Sequence, residues 1–175
     1  MKKLLLLGLT VIAMTACKQE EQRYFSDSAE IETLKSGINA YESGDWEAWR
    51  SHFTDTAKVY VNSTEAMSVD ERLTNMKDMT GAMASYGFDR DDEYIEMVKD
   101  KKNETWVYYW ATHTGTFSAS GNELTIPVHL AVRFVDGKIV AEHIYFDATE
   151  MNAEFAAMAT KAAEEMAEEM EELED

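Results

Sequence analysis

Phe134-Val135-Asp136-Gly137-Lys138-Ile139 joins two stretches rich in β-branched and aromatic residues, 123–134 and 138–147. Asp-Gly readily takes the two positive-φ positions of a two-residue hairpin loop. This turn predicts Val135 opposite Lys138. Counting outward sets Leu130 opposite His143, Val128 opposite Tyr145 and Ile126 opposite Asp147. Because side chains alternate across a sheet, one face then carries Leu124, Ile126, Val128, Leu130, Val132 and Phe134 with Ile139, Ala141, His143, Tyr145 and Asp147. The other face carries Thr125, His129 and Arg133 beside Glu142. One strand earlier, the Ala119-Ser120-Gly121-Asn122 loop sets Ser118 opposite Glu123 and His113 opposite Val128. It adds Val107, Tyr109, Ala111, His113 and Phe117 to the apolar face. A one-residue bulge there would exchange that set for Trp106, Tyr108 and Trp110.

Upstream the period changes from two to between three and four. Ile31, Leu34, Ile38 and Tyr41 follow a capping pair, Asp27 and Glu30, and predict a helix over 28–43 that Gly44 stops. Asp45 caps a short helix whose Trp46, Trp49 and Phe53 share a face. A strand follows at 57–62. Ser68 and Glu71 form a capping box for a third helix, carried by Val69, Leu73, Met76, Met79, Met83 and Tyr86 to about residue 86. Strands at 93–100, 104–118, 123–134 and 138–147 complete an α+β order, with three N-terminal helices folded onto one face of a strongly curved antiparallel sheet. Beyond it, Met151, Phe155, Met158, Ala162, Met166, Met170 and Leu173 predict a long C-terminal helix from 149 to about 173. Its distal part is crowded with Glu residues that repel at i,i+4. It reads as a solvated acidic tail or as a helix whose Met stripe docks in a groove.

Three stretches, in this order, resemble the SnoaL-like proteins of the nuclear transport factor 2-like superfamily: Tyr41-Glu42-Ser43-Gly44-Asp45-Trp46, the Asp136-Gly137 hairpin, and Tyr145-Phe146-Asp147. The resemblance implies a cone-shaped α+β barrel over residues 28–148, followed by the acidic helix 149–175. It does not imply one reaction, since the superfamily mixes isomerases, dehydratases, cyclases and modules that only bind or assemble.

Of 175 residues, 34 are acidic and 16 basic, for a net charge of -18, so nucleic acid and anionic membrane surfaces are excluded as partners. Met1-Lys2-Lys3 followed by the apolar run Leu4 to Met14 reads as an export signal, too short to span a bilayer. The chain's single Cys ends Met14-Thr15-Ala16-Cys17, which resembles a lipobox. That resemblance implies cleavage after residue 16, lipidation of Cys17 and a polar tether over 17–27. The expected location is the bacterial cell envelope, anchored in the outer membrane and touching it through lipid alone, with surface display open.

Asp147 ends a largely apolar face, where desolvation would raise its pKa and suit it to proton transfer. In SnoaL-like enzymes an acid at the matching position is catalytic. His143 and His113 are the candidate partners for it or for a ligand carbonyl. Tyr60, Tyr109, Tyr145 and Val128 are the candidate ligand contacts. No two His stand at helical ligand spacing, so neither metal nor cofactor is expected. Ketosteroid-isomerase chemistry would need a second acid on this face, and epoxide-hydrolase chemistry an Arg between two acids. Three readings follow: a lipid-anchored domain holding a small apolar or carbonyl ligand, a proton-transfer enzyme, or a homodimeric scaffold joined through Trp106, Tyr108 and Trp110.

Overall fold

The computed structural model describes residues 22–174. The segment expected to direct export, and Cys17, lie outside the described residues. The helices are α1 (Ala29–Ser43), α2 (Trp46–Ser51), α3 (Val69–Gly81) and α4 (Thr149–Glu174). The strands are β1 (Tyr24–Phe25), β2 (Phe53–Val61), β3 (Met67–Ser68), β4 (Met83–Lys99), β5 (Thr105–Phe117), β6 (Glu123–Val135) and β7 (Lys138–Phe146). They form one sheet in the order β1-β4-β5-β6-β7-β2-β3. All neighbours are antiparallel except β2 and β7, which run parallel.

The helix starts follow from local hydrogen bonding. Ser28, rather than Asp27, caps α1 by accepting from the Ile31 amide at 3.1 Å. Gly44 ends α1 at φ 69°, a left-handed conformation that costs glycine little. Asp45 caps α2, and Ser68 with Glu71 forms both halves of the expected capping box on α3. α3 stops at Gly81, short of residue 86. Met83 and Tyr86 instead open the 17-residue strand β4, which pairs along β5 from Met83 opposite Phe117 to Lys99 opposite Thr105. Likewise Phe53, expected on a helix face, starts β2.

The β6–β7 register begins as expected, Val135 opposite Lys138 and Phe134 opposite Ile139, and then slips. Arg133 faces Ala141, leaving Val140 as the extra residue of a bulge. From there every side chain of β7 changes face. Glu142 pairs with Val132 and Ile144 with Leu130 on the inside, while His143 pairs with Ala131 and Tyr145 with His129 on the outside. The expected pairings of Leu130 with His143 and Val128 with Tyr145 are therefore corrected. In β5 the inward set Val107, Tyr109, Ala111, His113 and Phe117 stands, although His113 lies opposite Ile126 rather than Val128.

The inner face and α1–α3 enclose the main core, in which Val59, Val107, Tyr109 and Val132 are sealed. A second cluster of Met83, Phe117, Leu124 and Ile126 receives Met151, Phe155 and Met158 of α4. Phe155 meets Phe117 edge to face at 5.7 Å. Farther along α4 the apolar stripe is exposed, Leu173 at 86%.

Candidate functional site

A cavity of about 430 Å³ opens between the inner sheet face, α1, α3 and the first turns of α4. That size is ordinary for a small-molecule site, roughly 300–1,000 Å³. Its lining is mostly aliphatic and aromatic, and four inward polar groups matter: Tyr41 from α1, Arg72 from α3, His113 from β5 and Glu142 from β7. Asn75, Asp78 and Asn152 add polar groups where α3 and α4 border it.

Arg72 lies three residues after Val69 and four before Met76, both buried, so the helix repeat turns it toward the core. Its Nε is sealed from solvent and has no hydrogen-bond partner among the described residues. Burial pushes its pKa down, opposed by the nearby charge of Glu142 and by Tyr41. Glu142 is only 6% exposed, and its Oε2 is likewise sealed and unpartnered. Desolvation raises its pKa to about 7, against a smaller lowering by Arg72. Arg72 and Glu142, both in the cavity lining, thus sense one another without forming an ion pair inside 4.0 Å, unlike Arg133 and Glu104, which meet at 2.6 Å on the outside.

His113 is buried, and its Nε2 shares a hydrogen bond of 2.9 Å with the Tyr41 hydroxyl. Burial lowers the His113 pKa to about 4, with Glu42 pulling it up and Arg72 pushing it down, so the ring is neutral at physiological pH. Burial also raises the pKa of Tyr41. Phe88 closes on the His113 ring edge to face at 5.1 Å.

The expected site is only partly assembled. His113 and Val128 line the cavity. Tyr109 is sealed in the core, its hydroxyl donating to Glu93 at 3.3 Å. Asp147 is exposed and accepts from the Thr149 hydroxyl at 2.6 Å and amide at 2.9 Å in a turn just before α4, which lowers its pKa. It is a solvated turn residue, so the expected raised pKa is corrected. The bulge carries His143 to the outer face, where it stacks on Tyr60 at 4.4 Å, and it exposes Tyr145. Both tyrosines and His143 are away from the cavity. Glu142, expected outside, is the acid that β7 sends inward, and Arg72 is the cation absent from a reading confined to the strands. Among the described residues no group of three or more His, Cys, Asp or Glu is arranged to hold a metal ion.

A helix-backed, curved sheet with a polar patch deep in an apolar cone defines the nuclear transport factor 2-like class. Within it, residues 35–142 match the model of the SnoaL-like domain, and the chain belongs to that family. Among solved structures it is similar to a putative SnoaL-like polyketide cyclase from Jannaschia sp. CCS1, with TM-score 0.58, 14% identity, and 75% of this chain and 94% of that chain covered. It is also similar to a nuclear transport factor 2-like protein of unknown function from Burkholderia pseudomallei, with TM-score 0.57, 15% identity, and coverage of 71% and 95%. An LEH-like epoxide hydrolase of M. tuberculosis gives TM-score 0.51 at 18% identity, covering 71% and 87%. At these identities the likeness is one of fold. Comparison with curated proteins finds no match.

Proposed function

We propose that the cone binds a small, largely apolar molecule through one oxygen-bearing group placed between Arg72 and Glu142. The observation that carries this reading is that Arg72 and Glu142, each with a polar atom that lacks a hydrogen-bond partner, both line one mostly apolar cavity. A hydrogen bond to a charged group contributes about 1.5–3 kcal/mol, so a ligand oxygen that meets Arg72 or Glu142 gains on that scale. The apolar lining takes the remainder of the molecule at roughly 25 cal/mol per Å² buried. Titration of the protein with 2-octanone by calorimetry tests it. Binding that Val128→Trp abolishes supports the reading, and no binding of any small oxygenated alkane refutes it.

The pKa of Glu142 favours proton transfer as a second reading, because a general acid or base works best near the ambient pH. Glu142 then removes the proton α to a bound carbonyl while Arg72 steadies the developing oxyanion. Deuterium exchange at the α-carbons of 2-octanone in D2O reads this step directly. Exchange lost in Glu142→Gln supports it; binding without exchange leaves a binding protein.

We place this domain outside the cytoplasm on a lipid-modified Cys17, on the strength of residues 1–17. Two acyl chains anchor stably where one does not. Mass spectrometry of the membrane-extracted protein should show an acylated N-terminal Cys17, and Cys17→Ser should release the protein. We further place a homodimer contact on the outer sheet face, where Trp110 is 40% exposed and stacks on His129 at 4.4 Å.

A further inference from the structure

Resting on the reading of the cone as a ligand site, we infer that the ligand is a monocarboxylate with an aliphatic tail, bound by the Arg72 guanidinium and by a proton shared with Glu142. The geometry selects this class. Arg72 belongs to the cavity lining and its Nε has no hydrogen-bond partner among the described residues, and a guanidinium's planar fork of donors fits the two oxygens of a carboxylate. Glu142 stands in the same lining with Oε2 unsatisfied. Two carboxyl groups brought together retain one proton between them, since both cannot ionise at close range in a low dielectric. Protonated Glu142 thus becomes a donor to the ligand, beside the charge of the Arg72 guanidinium.

The other charges around Glu142 leave this arrangement intact. Arg72 and Asp78 face the cavity from α3, Tyr41 from α1 and His113 from β5, while the linings from β2, β6 and the rest of β7 are apolar. α4 contributes Asn152 with apolar neighbours. Asp78 is exposed, and His113 is neutral and engaged by Tyr41. One guanidinium and one shared proton therefore match a singly charged group. A phosphate would bring further charge with no second cation in the lining. A neutral ketone would accept from Arg72 but take up no proton. Burial raises the Glu142 carboxyl well above the ordinary carboxylate range, and a ligand carboxylate that makes it hold its proton more tightly draws protons from the buffer on binding.

Calorimetric titration of the full chain at pH 7 with octanoate, octanamide and 2-octanone, in two buffers of different protonation enthalpy, decides the matter. The expected result is octanoate binding at least about tenfold tighter than octanamide, as a charge-assisted bond warrants, with net proton uptake from the buffer. In Arg72→Gln the two should converge. If that variant does not fold, the proton count in the unmodified chain decides alone. Octanamide or 2-octanone binding as tightly as octanoate, or octanoate binding without proton uptake, overturns the carboxylate inference and leaves the cavity reading standing. If none of the three binds, the cavity reading itself falls.

Discussion

Replacing Glu142 by glutamine removes one of two buried titrations that oppose each other. Glu142 moves from its ordinary 4.5 to about 7 on folding, so the folded state holds its proton more tightly. The stability linked to it is fully present below pH 4.5 and is lost as pH rises through about 7, a change of about 3 kcal/mol. His113 moves from 6.5 to about 4, so its contribution is present above pH 6.5 and is lost as pH falls through about 4, again about 3 kcal/mol. Between pH 4.5 and 6.5 the slopes have opposite sign and nearly cancel. Glu142→Gln leaves His113 uncompensated, so relative to the parent the variant should gain about 3 kcal/mol between pH 4.5 and 7.5. Urea unfolding midpoints at half-unit pH intervals, with slopes checked for constancy, measure the difference. The many other acids of this chain cancel in the comparison. Parallel pH profiles for variant and parent would show that Glu142 is not desolvated and would refute the reasoning.

Tyr41→Phe keeps the ring contacts but strands His113 Nε2, and should cost about 1–3 kcal/mol in urea unfolding and raise the His113 pKa seen by NMR only slightly, because burial dominates it. Gly115→Ala puts a methyl 3.0 Å from the Ser85 carbonyl and 3.2 Å from Met83 Sδ, so thermal unfolding should show a loss of about 1–3 kcal/mol. Asp147→Ala should speed exchange of the Thr149 amide at the start of α4 and leave octanoate affinity unchanged, since Asp147 holds that amide outside the cavity lining.

The fold was legible because its elements announce themselves locally: the Ser68–Glu71 box, Gly44 and the Asp136-Gly137 turn each act as expected. The His113 face survived a misplaced loop because Thr116, not Ser118, pairs with Glu123, and a shift of two residues preserves parity. The site was harder to read because a shift of one does not. The adjacent apolar pair Ile139-Val140 breaks the alternation of β7, and beyond it Ile144 and Phe146 are more apolar than His143 and Tyr145. That contrast is the signal that Glu142 points inward. Arg72 was equally accessible in principle, at spacings of three and four from Val69 and Met76. A charged residue inside a helical stripe is easily taken for its solvated flank. No pattern in the strands shows that α3 supplies the cation, because that depends on how the helix lies across the sheet.

The most direct test of the paired Arg72 and Glu142 as the working centre is a 13C titration of the Glu142 side-chain carboxyl, assigned by the signal missing in Glu142→Gln. The account predicts a midpoint near 7 that rises further when octanoate is added. A midpoint near the ordinary 4.5, unmoved by octanoate, would contradict it.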